Sequence, residues 1–232
     1  ITRSVRDAVL LHEVLAARTV ALPPRPMAQW RFAVPTTLML DGLEPVVARA
    51  FDAALARLRD AGAQVLEVAL PELAELATLN AQGGFSAAES WAWHRALLER
   101  AGDRYDPRVA LRIRRGAAMS AADYIGLLAA RRDWIARVEA ALQGFDALLA
   151  PTAPIVAPPL APLQADDAAF FAVNAQLLRN PSAINFLDGC AISLPCQAPG
   201  DWPVGLMLAA PALADDRLLS AALAVEALMG RG

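Results

Sequence analysis

The stretch "RFAVPTTLMLDGLEPVVARAFDAALARLRDAGAQVLEVAL" (31–70) constrains this chain more than any other. It opens on a short apolar run, "RFAVP", which Pro35 ends, and turns at "LDG". Residues 44–61 then carry apolar side chains at helical spacing, with Pro45 in the first turn, where its missing N–H costs nothing, and Gly62 as C-cap. A second apolar run, "AQVLEVAL" (63–70), closes the unit. Strand, long helix and strand in that order make a βαβ unit, and a right-handed crossover makes its strands parallel.

The flanking segments extend this pattern. Residues 3–17 place Val5, Val9, Leu10, Leu11, Val14 and Leu15 at helical spacing behind a candidate N-cap, Ser4. "ALPPRP" (21–26) is a loop. Residues 71–143 are helical throughout, and "SAADYIGLLAARRDWIARVEAALQG" begins with Ser120 and Asp123 as a capping box. "DPRVALRIRRG" is a short helix that Gly116 closes, and the adjacent glycines of "AQGGFS" mark a kink or loop. "FDALLAPTAPIVAPPLAPL" (145–163) reads as a strand running into an extended proline-rich segment, since Pro excludes helix and central-strand pairing. Residues 167–178 are helical. "RNPSAINF" reads as a further short polar helix that Asn180 and Pro181 start as N-cap and N1. Strands at 191–196 and 203–209 and a final helix at 214–229 complete the chain. The class is α/β, a mixed β-sheet flanked by helices.

Composition removes whole classes of function. Hydrophobic residues make up 56% and charged residues 19% of the 232, which argues against disorder. No apolar stretch approaches the ~20 residues of a membrane span, so a soluble protein is expected. Arg is scattered and the net charge is -3, which leaves no nucleic-acid footprint. Cys190 and Cys196 are six residues apart on or beside one strand, roughly 20 Å at ~3.3 Å per residue, too far for a disulfide. With two distant histidines, His12 and His94, they make no zinc site, and reduced cytoplasmic thiols are expected.

A self-contained catalytic set is also missing. Nucleophilic catalysis needs an activatable side chain beside a base. Lys is absent, no G-x-S-x-G elbow is present, and several of the serines read as caps or helix-interior residues. The pairs Asp166–Asp167 and Asp215–Asp216 stand at helix starts, where the helix dipole accounts for them. No cofactor or metal is expected from these residues.

The segments resemble, in order, the C-terminal half of the amidase signature family. "ITRSVRDAVLLHEVLA" is similar to the helix after that family's G-P-(I/M)-(T/A)-R-(S/T)-V-x-D motif, and residues 32–71 to its strand–helix–strand. "DRYDP" matches its R-Y-D-P pattern, "DYIGLLAARR" resembles its D-Y-x-x-A-x-x-x-R with Leu127 in the alanine position, and "DALLAPTAP" matches its D-x-L-(L/V)-x-P-T-x-P segment. "NFLDGCAISLPC" and "PVGLML" are similar to N-x-x-G-x-P-A-(I/L)-S-(L/V)-P-C and P-(V/I)-G-L-Q-(L/I), and "DDRLLS" to D-D-x-x-L-L with Ser220 in the last position. Asp188, Cys190 and Met207 depart from those patterns, the first two in the loop before a strand.

The resemblance implies an amidase α/β/α fold of which residues 1–232 are the C-terminal part of a single domain, with 70–143 a helical insertion forming a pocket wall. It implies a hydrolase of carboxylic amides that uses a serine nucleophile, a second serine in a cis peptide, a lysine base and a backbone oxyanion hole. All of these lie upstream of Ile1 in the family pattern, so the isolated chain is expected to be inactive and to work with an N-terminal catalytic portion. What it would contribute is substrate binding. Arg132 aligns with an arginine that holds a substrate carboxylate in the glutamyl-tRNA amidotransferase A subunit, a role its fork of donors suits. Asn185, Phe186 and Thr152 are candidates for the pocket rim, and Trp91 and Phe85 for an acyl or aromatic pocket. A surface ion pair for Arg132 and plain core packing for the aromatics are the alternatives. The partner is a small-molecule amide, without nucleic acid or membrane, and a homodimer is compatible with this reading. Two other readings stay open: an amidotransferase component, and a non-catalytic α/β binding module.

Overall fold

The strand β1 (Arg31–Pro35) is hydrogen-bonded on both sides, and its last four residues are buried. The structure, a computed structural model, describes residues 1–230. With β2 (Gln64–Val68), β3 (Ala147–Pro151), β4 (Cys190–Pro195) and β5 (Gly205–Ala210), β1 forms a five-stranded sheet in the order β2-β1-β3-β5-β4. β1 is parallel to β2 and β3, whereas β5 is antiparallel to β3 and β4. The sheet is therefore mixed. Position in the sheet explains the strand compositions. β3 and β5 are central and almost wholly buried, as their uninterrupted apolar runs require. The edge strand β4 alternates, turning Leu194 inward and Ser193 outward.

α1 (Val5–Ala16), α2 (Pro45–Asp60) and α9 (Asp215–Met229) cover one face of the sheet. There Val5, Phe51, Leu58, Leu218 and Val225 pack against Phe32, Val34, Leu149 and Leu208. Ser4 caps α1 by accepting the Asp7 N–H at 3.1 Å, and the Val5 N–H donates to Glu226 Oε1 at 2.8 Å, tying α1 to α9. Of the apolar positions in α1 only Val5 and Val9 are buried, while Leu10, Leu11, Val14 and Leu15 face solvent. α2 ends one residue earlier than expected. Ala61 is the C-cap, and Gly62, at φ 96, is the left-handed residue beyond it. The Ala63 N–H bonds to Leu58 O and the Gly62 N–H to Arg59 O, the paired bonds of a Schellman ending.

The chain divides into two compact units, Ile1–Leu70 with the residues from Val138 onward, and Pro71–Arg137. The second is helical: α3 (Glu72–Leu79), α4 (Gly84–Ala101), α5 (Pro107–Arg114) and most of α6 (Ala121–Ala141). Ser120 and Asp123 exchange backbone bonds at 3.0 and 3.1 Å, as a capping box does. Trp134 Nε1–H donates to Glu72 O at 2.7 Å and Arg137 holds Glu75 through two nitrogens at 2.6 Å, which fixes α6 against α3. Gly116 lies within a 3₁₀ turn after α5, packed against the carbonyl of Ala87.

Two local expectations give way to tertiary structure. The proline-rich segment is not extended throughout. Leu160–Ala165 forms a short helix, α7, whose Pro162 sits in the first turn, where no N–H is needed. Asn180 is not an N-cap either, and residues 179–186 are not a separate helix. α8 runs from Asp167 to Phe186 with Asp166 as its cap, and Pro181 lies inside it. The Asn180 side chain is fully buried and donates from Nδ2 to Met39 O at 3.0 Å and Pro151 O at 2.7 Å, while accepting from Arg179 Nε at 3.1 Å. These bonds hold α8 to the end of β3.

Candidate functional site

At that end of β3 the chain leaves the sheet as Thr152, whose N–H donates to Gly205 O at 2.8 Å. This extends the ladder with β5 by one residue. Across β5, on the outward side of β4, stands Ser193. Thr152 Oγ1 and Ser193 Oγ are 2.5 Å apart. β5 separates β4 from the end of β3, and the two hydroxyls meet across it because the residue beneath them is a glycine. A Cβ on Gly205 would lie 2.4 Å from Ser193 Oγ and 2.6 Å from Thr152 Oγ1.

The two hydroxyls line a cavity of about 450 Å³ outside the carboxyl end of β3. Val47 of α2, Leu160 and Leu163 of α7, Leu177 of α8, Ile155 and Val204 supply its apolar walls. The residues lining it, all described ones, include no acid, base or histidine. The size lies within the ~300–1,000 Å³ range of small-molecule sites, and crevices at strand carboxyl ends are where open α/β sheets bind ligands. Such a site can hold an uncharged group and offer it two hydroxyls. It has no base with which to turn either hydroxyl into a nucleophile.

The other candidates are distributed over both units. Thr152, Asn185 and Phe186 lie in the first, and Phe85, Trp91 and Arg132 in the second. Asn185 is exposed in the last turn of α8, whereas Phe186 beside it is buried. Phe85 meets Tyr124 edge-on at 5.7 Å, and the Arg131 guanidinium lies 5.5 Å from its ring centroid. Trp91 is half-buried against the cluster of Leu98, Ala110 and Ile113. Arg132 is exposed on α6. Ser90 lies one turn before His94 on α4, but its hydroxyl donates to Ala87 O at 3.1 Å while His94 Nδ1 pairs with Tyr105 Oη at 2.8 Å, and His12 Nε2 lies 3.2 Å from Arg18. Among the described residues no group of three or more His, Cys, Asp or Glu is arranged to hold a metal ion. Sequence reasoning missed Ser193 and Gly205. The available signal was a lone hydroxyl residue inside the apolar run "CAISLPC".

The family model for amidases matches residues 1–219. The chain belongs to the amidase family. It is 32% identical over 236 residues to the 2-amino-5-chloromuconic acid deaminase of Comamonas testosteroni, covering 100% of this chain and 51% of that protein. It is 33% identical over 278 residues to the glutamyl-tRNA(Gln) amidotransferase A subunit of Nocardia farcinica, covering 98% and 55% respectively. A crystal structure of an amidase superposes with a TM-score of 0.79 at 27% identity, over 99% of this chain and 52% of that one. The amidase-family chain thus spans about half the length of the relatives it matches. Membership also clarifies the departure at 188–190. Asp188 takes φ 61, the left-handed position just beyond α8, and the Gly189 N–H bonds to Ile184 O at 3.0 Å. The family's commoner Gly suits that conformation, and Asp is among the few other residues that tolerate it.

Proposed function

We propose that the protein carrying this chain hydrolyses the C–N bond of a small carboxylic amide. A serine outside these residues attacks the carbonyl carbon, and the amine leaves with a proton. Water then releases the acid and restores the hydroxyl. A second serine and a lysine upstream complete the mechanism, and this chain contributes sheet strands and pocket walls. The amidase-family match over residues 1–219 carries the reading. The absence of Lys and the lack of any acid, base or histidine beside the Thr152–Ser193 pair support a nucleophile elsewhere. In the first unit Thr152, the exposed Asn185 and the buried Phe186 are assigned to substrate binding, and in the second Phe85 and Trp91 are assigned to aromatic contacts. Arg132 is assigned to an oxygen-bearing tail of the substrate, which an exposed guanidinium can hold through paired hydrogen bonds. A cytoplasmic setting accords with two free cysteines.

A second reading makes the chain part of an amidotransferase component that works on glutamine, favoured by the 33% identity to the Nocardia amidotransferase chain. Turnover by the protein as its gene encodes it separates the two. Release of carboxylate and ammonia from simple aliphatic or aryl amides, without an added partner, supports the hydrolase. Release from glutamine alone, and only with a partner protein, supports the other.

A further inference from the structure

We infer that the cavity over Gly205 is the subsite for a neutral, mainly apolar group of the amide, of butyl to phenyl size, with the Thr152–Ser193 hydroxyl pair as its polar side-chain contact. The inference rests on the hydrolase reading for its substrate but not for its ligand chemistry. Three observations carry it. The walls contributed by Leu160, Leu163, Leu177, Ile155 and Val204 are aliphatic, and no charged side chain lines the space. An ammonium or carboxylate entering it would lose its water without a counter-charge, a cost far above what one hydroxyl bond returns. Ser193 stands on β4, Thr152 follows β3 directly and is tied to β5 through its N–H, and Gly205 keeps a Cβ from occupying the place of their hydroxyls.

The chemistry is therefore selective in a stated direction. Each methylene withdrawn from water contributes ~0.8 kcal/mol, about fourfold in kcat/KM while the chain still fits. The zwitterionic backbone of glutamine is excluded from this subsite. One of the two hydroxyls donates to the other, which leaves one hydrogen free for a carbonyl, ether or nitro oxygen on the bound group.

The test uses the protein as its gene encodes it, with acetamide, butyramide, hexanamide and benzamide as substrates. The expected result is a rise in kcat/KM of at least tenfold from acetamide to hexanamide. Leu163→Trp, which fills the cavity from α7, should reduce the hexanamide-to-acetamide ratio at least tenfold. A flat chain-length series, or a ratio unmoved by Leu163→Trp, overturns the subsite. Should no amide be hydrolysed, the hydrolase reading fails, and ligand-observed NMR with hexanamide decides the subsite by itself. Binding that Leu163→Trp abolishes supports it, and no binding, or binding that survives the substitution in a folded variant, overturns it. Unfolding curves of both proteins show that the comparison is between folded molecules.

Discussion

Thr152 Oγ1, just past the end of β3, and Ser193 Oγ, on β4, stand 2.5 Å apart above Gly205 of the intervening β5. The smallest added side chain therefore disrupts the floor of the cavity. Gly205→Ala brings a methyl within 2.4 and 2.6 Å of the two hydroxyl oxygens. The expected loss is on the order of 1–3 kcal/mol, typical of overpacking a tight site. Removing one oxygen by Ser193→Ala in the same protein should restore part of it. Denaturant unfolding of the two single variants and the double variant measures the coupling, and strictly additive losses contradict the proposed collision.

Asn180 secures the neighbouring backbone. Its amide donates to Met39 O and Pro151 O from a fully buried position. Asn180→Ala strands the Pro151 carbonyl, leaves Met39 O with the Arg179 guanidinium at 3.3 Å, and should cost about 1–3 kcal/mol. Because Pro151 precedes Thr152, KM for a hydrolysed amide should rise as well. Chemical denaturation and steady-state kinetics check both effects, and a wild-type midpoint contradicts the role given to the side chain.

Both cysteines are protected by burial, which pushes each thiol from 9.0 up to about 11. At pH 8 the folded protein should react with iodoacetamide about 100-fold more slowly than the urea-unfolded chain, since each pKa unit is a factor of ten in thiolate. The pH dependence of stability has a definite sign. The proton is held more tightly in the folded state, so the contribution is intact below about 9 and is lost as pH rises from there toward 11. Equal labelling rates in the two states, or stability that increases over that window, contradict the assignment.

Arg132 is a test of the substrate's other end. Arg132→Ala should raise KM for amides with an anionic or carbonyl-bearing tail by on the order of tenfold, the equivalent of one charge-assisted hydrogen bond. Amides without such a tail should respond less. A uniform response across the series removes the residue from the binding role.

How much of this was legible beforehand depended on the range of the interactions. Residues 31–70 declared themselves because a βαβ unit is written in local periodicity, and β1, α2 and β2 appear where the pattern places them. Ser4, Ser120 and Asp123 were equally plain, since a cap is settled within three residues. Asn180–Pro181 carries the same local signature as a helix start. It lies inside α8 instead because acceptors 141 and 29 residues away claim the amide. Ser193 and Gly205 escaped for a related reason. Their importance arises where three strands are placed side by side, and nothing near either residue in the sequence records that arrangement.

The proposed mechanism places the hydrolytic serine outside residues 1–232 and gives this chain the cavity around the substrate. Treating the protein its gene encodes with a fluorophosphonate, then locating the adduct by peptide mass spectrometry, tests it most directly. The expected adduct is on a serine beyond these residues, with amide turnover lost in proportion to labelling. An adduct on Ser182, Ser193 or any other serine of this chain, accompanied by that loss, contradicts the account.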